Sequence, residues 1–120
     1  MTSKNMSHLH RQKGRAAENV ASHWLRNQQY TILARNIKFF GTEIDILAKS
    51  ADSYTFFEVK HTRSTYYRQG FPLMGYRQKL KYQQAIDRWQ EDTNKVYNIS
   101  VKLVVVNEYL KPEVMIPLNL

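Results

Sequence analysis

The chain has 120 residues, of which 42% are hydrophobic and 23% charged, so it can form one domain with its own core and has little room for a second. This composition excludes a disordered or collagen-like protein, and the absence of cysteine excludes a disulfide framework and thiolate metal sites. Lysine and arginine number 18 against 10 acids, a net charge of +8 that favours either a polyanionic partner or a soluble basic surface.

No apolar run approaches the roughly 20 residues of a membrane-spanning helix. The polar N-terminal segment also lacks the apolar centre of a signal peptide. We therefore expect a cytoplasmic protein without membrane contact.

The charges are distributed unevenly along the chain. No acid occurs before Glu18, and none occurs between Val59 and Ile86, a segment that holds six lysines and arginines. Between these basic segments lies a compact acidic group, which consists of Glu43, Asp45, Asp52 and Glu58. This order suggests a polyanion guided towards a bound cation, although solvated charges arranged by chance would give the same pattern.

The predicted elements in the first half are a helix and three strands. Residues 1–10 show no periodicity and predict a flexible arm before a single domain over residues 11–120. Helical spacing of apolar residues predicts a helix from about Arg11 to Gln29. A turn at Gly41 and a hairpin connection over residues 50–53 separate three predicted strands, over residues 30–36, 43–49 and 54–61.

The second half predicts a loop, a helix and one or two strands. Residues 62–75 contain Gly70, Pro72 and Gly75 and predict a loop or lid. A helix is predicted over residues 76–92, with an inner apolar stripe of Tyr82, Ala85, Ile86 and Trp89. A strand that is covered on both faces is predicted over residues 101–106. A short edge strand could follow at residues 114–116. Together these elements predict an α/β domain with a mixed sheet.

The central hairpin carries the chemically informative residues. Strand alternation places Glu43, Asp45 and Leu47 on one face of their strand, and Ile44, Ile46 and Ala48 on the other. If the hairpin is symmetric about residues 51 and 52, Asp45 lies opposite Glu58 and Glu43 lies opposite Lys60. Directly opposed Cβ atoms would then be roughly 4.5–5.5 Å apart. A slip of two residues would preserve the faces and make the carboxylate pair diagonal.

Two carboxylates so close repel each other unless a cation or a proton is shared between them. Mg²⁺ is a hard ion that binds carboxylate oxygens, and Lys60 on the same face could stabilise negative charge or orient a water molecule. This combination suits phosphodiester hydrolysis. The alternative is an ordinary exposed strand face with a Glu/Lys salt bridge.

The spacing of these residues resembles a known nuclease signature. Asp45 followed by Glu58-Val59-Lys60 resembles the active site of the PD-(D/E)xK superfamily, the restriction-endonuclease-like and Holliday-junction-resolvase-like proteins. A longer ordered set resembles the YraN-like family of small bacterial predicted endonucleases, over most of the chain from Gly14 to about Val106. That set comprises Gly14-Arg15-Ala16-Ala17-Glu18, Ala34-Arg35-Asn36, Gly41-Thr42-Glu43-Ile44-Asp45-Ile46, Phe57-Glu58-Val59-Lys60 and Arg63.

Two features depart from the family pattern. Thr42 intervenes between Gly41 and Glu43, and His61 with Thr62 lengthens the step from the lysine to Arg63.

The resemblance implies a restriction-endonuclease-like core of helix, three-stranded meander, helix and strand. It implies that Asp45 and Glu58 are metal ligands, that Glu18 is an accessory ligand and that Lys60 is the catalytic lysine. The implied cofactor is Mg²⁺ or Mn²⁺. Gln78 and Tyr82 lie four residues apart and resemble the Gln-x-x-x-Tyr element of RecB-type nucleases, so Gln78 is expected to assist at the site.

These observations predict a metal-dependent nuclease that acts on nucleic acid, with DNA (branched or single-stranded) favoured and a role in repair, recombination or uptake. Junction-cutting relatives act as dimers, which makes a homodimer an expectation by analogy. One alternative is a non-catalytic nucleic-acid-binding module on the same fold, and another is a basic adaptor protein. The residues expected to contact nucleic acid are Arg63, Tyr67, Arg68, Lys79 and Lys81.

Overall fold

The computed structural model describes residues 3–63, 65, 73–94 and 96–118, with the side chains of residues 3–13 and of Val114 excepted. In this part of the chain, two helices lie on opposite faces of a five-stranded sheet. The helices are α1 (Ser3–Asn27) and α2 (Tyr76–Thr93). The strands are β1 (Thr31–Phe39), β2 (Thr42–Ser50), β3 (Ser53–His61), β4 (Asn98–Val106) and β5 (Pro112–Pro117).

The sheet is mixed, with the strand order β1-β2-β3-β4-β5. β3 and β4 are parallel, and each of the other neighbouring pairs is antiparallel. A parallel pair needs a crossover connection, and α2 lies between these two strands in the chain. The predicted α/β fold is therefore confirmed, and its order of elements is compatible with a restriction-endonuclease-like core.

Helix α1 covers one face of the sheet. Its residues Ala17, Ala21 and Leu25 are four apart, so they form one apolar stripe, and all three are buried. We call the cluster they form with the sheet the α1 core, and its buried members are Ala17, Ala21, Leu25, Ile46, Ala48, Phe57, Val104 and Val106.

The backbone of α1 is helical from Ser3, so the predicted start at about Arg11 is wrong. Residues 3–10 lack an apolar stripe, and periodicity alone therefore did not indicate a helix there.

Helix α2 covers the opposite face, as its predicted inner stripe indicated. Its residues Tyr82, Ala85 and Ile86 are buried against the sheet, and Trp89 packs at the margin. We call this cluster the α2 core, and its buried members are Ile44, Leu47, Phe56, Met74, Tyr82, Ala85, Ile86, Val101 and Leu103. Strand β4 contributes to both cores, which confirms that it is covered on both faces.

The remaining predicted elements agree with the structure to within a few residues. β1 extends to Phe39, and Gly41 forms the following turn with a φ of 80°. β5 is the short edge strand expected near residues 114–116. Most of the predicted loop or lid, residues 64 and 66–72, lies outside the described residues. Neither described helix is both long and apolar enough to cross a membrane.

Candidate functional site

The candidate site lies where the β2–β3 ladder ends. Pairing runs from Ser50↔Ser53 to Ile46↔Phe57, which confirms the predicted hairpin register over these residues. The ladder does not continue to the next positions, so the predicted pairs of Asp45 with Glu58 and of Glu43 with Lys60 are not formed. The two strands are joined instead by the Asp45 side chain, whose Oδ2 accepts a hydrogen bond of 2.8 Å from the Val59 N–H.

The side-chain alternation of β2 also changes at Asp45. Ile46 packs in the α1 core, but Ile44 packs in the α2 core together with Leu47. The prediction that Ile44, Ile46 and Ala48 share one face is therefore wrong for Ile44. The partners of Ile44 and Ile46 on β1 flank Asn36, whose φ of 52° interrupts the regular extended backbone. The irregularity in both strands places Asp45 at the junction between the two faces.

The second carboxylate, Glu58, is held at both of its oxygens. Its Oε2 accepts a hydrogen bond of 2.7 Å from the Tyr82 hydroxyl, and its Oε1 lies 3.4 Å from the Lys60 Nζ. Glu58 is only 9% exposed, and Tyr82 is fully buried on α2. Because a hydrogen bond to a carboxylate inside the protein is short and directional, the Tyr82 contact defines where the carboxylate points, and Lys60 adds an ion pair at the other oxygen.

The electrostatics of the site reflect two acids in a confined space. Burial and the negative charge of Glu58 raise the pKa of Asp45 to about 7, with a smaller contribution from Glu18. The hydrogen bond from Val59 and the charge of Lys60 act in the opposite direction. Burial, followed by the charge of Glu58, raises the pKa of Tyr82 above its ordinary value, so its hydroxyl stays a proton donor to Glu58.

Glu18 approaches this site from helix α1 and faces an arginine. Its Oε2 lies 3.9 Å from the Arg35 Nη2, which also donates a hydrogen bond of 2.7 Å to the Asn19 Oδ1. The Glu18 side chain is 15% exposed, and its Oε2 has no hydrogen-bond partner among the described residues. Glu18 is thus close enough to affect the pKa of Asp45, while its nearest cation is Arg35.

Among the described residues, the other predicted site residues lie on α2 or after β3 and form no hydrogen bond or ion pair with the two carboxylates. Gln78 and Lys79 are half-buried near the start of α2, one turn before Tyr82, and Lys81 is exposed. Arg63 is exposed two residues after the end of β3. Two predicted contacts, Tyr67 and Arg68, lie outside the described residues.

The residues present are suited to a cation with oxygen ligands. Across the part of the chain that the structure describes, no group of three His, Asp or Glu side chains has a geometry for holding a metal ion. The pair of Asp45 and Glu58 offers carboxylate oxygens at one place, and Mg²⁺ commonly takes one or two carboxylates and keeps several water molecules. Burial and the charge of Glu58 raise the pKa of Asp45 by more than the charge of Lys60 lowers it.

Sequence reasoning placed Tyr82 on the inner stripe of its helix and in the Gln-x-x-x-Tyr element, but did not include it among the site residues. Its place on the apolar stripe of α2 was predicted correctly, and the fully buried ring confirms it. A buried tyrosine hydroxyl usually needs a hydrogen-bond partner, which is the signal that could have indicated an acid opposite this helix.

A cleft opens beside Asp45, along paired segments of β1 and β2 next to Asn36. Its volume is about 450 Å³. The described residues that line it are Asn36, Ile37, Lys38, Glu43, Ile44 and Asp45.

A protein-family model matches most of the chain. Residues 17–106 match the model of "Uncharacterised protein family UPF0102". The chain belongs to this family. This confirms the predicted relationship to the YraN-like proteins, and the matched segment contains both carboxylates, Lys60, Tyr82 and the cleft.

Several other members of this family are similar in sequence to the chain. The protein from Clostridium acetobutylicum is 41% identical over 76 residues, which cover 63% of this chain and 62% of that protein. The protein from Leifsonia xyli is 42% identical over 60 residues, which cover 50% of this chain and 49% of that protein. The protein from Shewanella sediminis is 28% identical over 81 residues, which cover 68% of this chain and 69% of that protein. The chain thus spans about half to two thirds of the relatives it matches, and their names state no activity.

Proposed function

We propose that this UPF0102 protein is a metal-dependent nuclease of the PD-(D/E)xK type that hydrolyses phosphodiester bonds, with DNA as the favoured substrate. The observation that carries the proposal is the convergence of Asp45, Glu58 and Lys60 where the β2–β3 ladder ends. An ordinary exposed Glu/Lys pair would not need a buried tyrosine to hold its carboxylate, nor would it raise the pKa of a neighbouring acid.

Asp45 and Glu58 would hold Mg²⁺ or Mn²⁺, and Glu18 would be an accessory ligand. When bound, the ion supplies a water molecule of lowered pKa and neutralises charge on the phosphate. The interaction of Glu18 with Arg35 is long and leaves Glu18 Oε2 without a hydrogen bond, so little is lost if the carboxylate is redirected.

Lys60 and Tyr82 act on the same carboxylate in different ways. The Lys60 Nζ lies 3.4 Å from Glu58 Oε1 and is partly exposed, so it can also reach a phosphate oxygen or a water molecule in front of the site. Tyr82 is fully buried and cannot contact the substrate directly. Its hydrogen bond makes it a positioning residue for Glu58.

The basic residues around the site provide the means to bind a polyanion. Arg63 follows the end of β3, and Lys79 and Lys81 lie on the first turns of α2. Gln78 is on the same part of the helix and would assist at the site. The segment between Val59 and Ile86 holds six lysines and arginines and no acid, and a positive charge of this kind supports binding of a nucleic acid.

The proposal is tested with labelled single-stranded, duplex, flap and four-way-junction DNA in Mg²⁺, Mn²⁺ or EDTA. We expect metal-dependent cutting that is lost in Glu58→Ala and Lys60→Ala. The matched control is Lys49→Ala, which removes the same charge near the hairpin turn of β2, away from the carboxylates. Thermal unfolding of all variants separates a lost reaction from a lost fold.

Cutting that survives in both pure site variants would refute the residue assignment. DNA binding without cutting in any metal would favour the non-catalytic binding module instead. Phosphate contacts make the affinity for DNA fall steeply as salt rises. A protein that binds no DNA even at low salt would therefore favour the adaptor protein. The homodimer, the cytoplasmic location and the role in repair, recombination or uptake remain predictions.

A further inference from the structure

Asn36 occupies an unusual backbone position beside the carboxylates. It lies within β1, an edge strand of the described sheet, and has a φ of 52°. Asparagine tolerates this left-handed conformation better than most residues with a side chain, and glycine adopts it without strain. The residue is exposed and lines the cleft beside Asp45. The interruption of the strand thus presents an amide group next to the proposed reaction centre.

The cleft has the size and the lining of a site for one small organic group. Its volume of about 450 Å³ is within the range of small-ligand sites, with room for one nucleotide and not for a stack of base pairs. The half-buried Ile37 supplies apolar surface, whereas Ile44 is almost fully buried in the α2 core and adds very little. Such surface can cover the faces or the edge of a base that has left its stack.

The polar residues of the cleft offer the groups that recognise base edges. An asparagine amide both donates and accepts, a carboxylate accepts from amino groups, and a lysine donates to ring nitrogen and carbonyl acceptors. Asn36, Glu43 and Lys38 supply one of each. Glu43 and Lys38 are cross-strand partners, so their opposite charges offset each other and the cleft does not repel a phosphate chain on their account.

The cleft and the proposed reaction centre share one residue. Asp45 lines the cleft and also interacts electrostatically with Glu58 and Lys60. A nucleotide seated in the cleft would therefore have one of its phosphates close to the two carboxylates. A base in a stacked duplex cannot enter such a site without leaving its partner, which costs free energy that an unpaired base does not lose.

We infer that the cleft receives one unpaired nucleotide adjacent to the cleaved phosphate, and that Asn36 contacts its base. This inference rests on the proposed nuclease function for the reaction itself. It narrows the substrate class to nucleic acid with single-stranded character at the cut, such as a single strand, a flap or an opened junction.

The first test measures base unstacking without any reaction. Single-stranded DNA and the matching duplex carry 2-aminopurine at successive positions, and each is titrated with the protein in EDTA. We expect a fluorescence change confined to one or two positions of the bound single strand and reduced in Asn36→Gly. The glycine keeps the left-handed backbone and removes only the amide. Asn36→Asp keeps the size of the side chain and removes its donor, so we expect it to reduce the signal as well.

The second test measures cleavage in Mg²⁺ or Mn²⁺. We expect Asn36→Gly to raise the KM for single-stranded or flapped DNA by about tenfold, the size of a lost base contact, with kcat changed less. An unchanged KM and an unchanged fluorescence signal in Asn36→Gly would overturn the inference. Equal cutting of continuous duplex and single strands by the wild type would do the same.

The two proposals fail in distinguishable ways. If the wild type cuts nothing, the nuclease function fails, and the fluorescence experiment in EDTA still decides whether the cleft holds a base. If the wild type cuts DNA but shows no position-specific fluorescence change, the inference about the cleft is refuted and the nuclease function stands.

Discussion

Replacing Asp45 by asparagine should make the metal-free protein more stable at neutral and alkaline pH. The side chain keeps its size, and its carbonyl oxygen can still accept the hydrogen bond from the Val59 N–H. What disappears is a negative charge that burial and Glu58 disfavour. The substitution therefore removes a destabilising ionisation and leaves the packing unchanged.

The sign and size of this effect follow from the pKa of Asp45, which folding raises from an ordinary value of 3.8 to about 7. Between these values the folded protein binds a proton that the unfolded chain has released, so stability falls as pH rises through this window. One pKa unit corresponds to about 1.4 kcal/mol. From pH 4.5 to pH 8, the ionisation of Asp45 should lower the free energy of unfolding of the wild type by about 3 kcal/mol. This loss should be absent in Asp45→Asn.

The measurement is urea unfolding of both proteins in EDTA at several pH values, followed by the fluorescence of Trp24 and Trp89. The stability difference between variant and wild type should grow by about 3 kcal/mol over this range. Asp52→Asn, at the exposed hairpin turn, serves as the control, and its difference from the wild type should be flat. A flat or falling difference for Asp45→Asn would refute the electrostatic reasoning.

The same linkage predicts how a cation acts. In the proposed metal site, protons and Mg²⁺ compete for the same carboxylates. The proposal therefore predicts that Mg²⁺ raises the melting temperature of the wild type more at pH 8 than at pH 5. Asp45→Asn should lose most of this stabilisation. Equal stabilisation of both proteins by Mg²⁺ would place the cation elsewhere.

Three further outcomes are expected. Tyr82→Phe keeps the ring but removes the hydrogen bond from Tyr82 to Glu58. The free energy of unfolding should therefore fall by about 1–3 kcal/mol, and kcat should fall as well. An unchanged urea midpoint and an unchanged kcat would contradict this. Leu25→Ala removes a fully buried side chain and should cost about 2–5 kcal/mol in urea unfolding, far more than Leu33→Ala at a residue 47% exposed. DNA affinity should fall linearly with salt on logarithmic axes, and Lys79→Ala should reduce the slope by about one; an unchanged slope would remove Lys79 from the phosphate contacts.

Much of the fold could be predicted because it depends on patterns that are local in the chain. The apolar stripe at Ala17, Ala21 and Leu25 indicates a helix wherever the rest of the chain lies. The hairpin register from Ser50↔Ser53 to Ile46↔Phe57 follows from a two-residue turn, which determines every pair beyond it while the ladder stays regular. The sequence motif likewise selected Asp45, Glu58 and Lys60 as candidates, and the structure shows that these three side chains interact.

The geometry of the candidate site depends on contacts between distant parts of the chain. The ladder ends after Ile46 because Asp45 bonds to the backbone of Val59, and the alternation changes beside the left-handed Asn36. Tyr82 and Glu58 are 24 residues apart and meet because α2 packs against one face of the sheet.

The sequence by itself thus determined the order of the elements, the two apolar stripes and the identity of the acids. Only the tertiary structure decided that one acid is held by Tyr82 and that the other lies between two faces of the sheet beside a cleft. Periodicity reports which side of an element is apolar, and it carries no information about where a ladder stops. That point is decided by competition between backbone pairing and side-chain hydrogen bonds, which exists only after the strands and helices have packed.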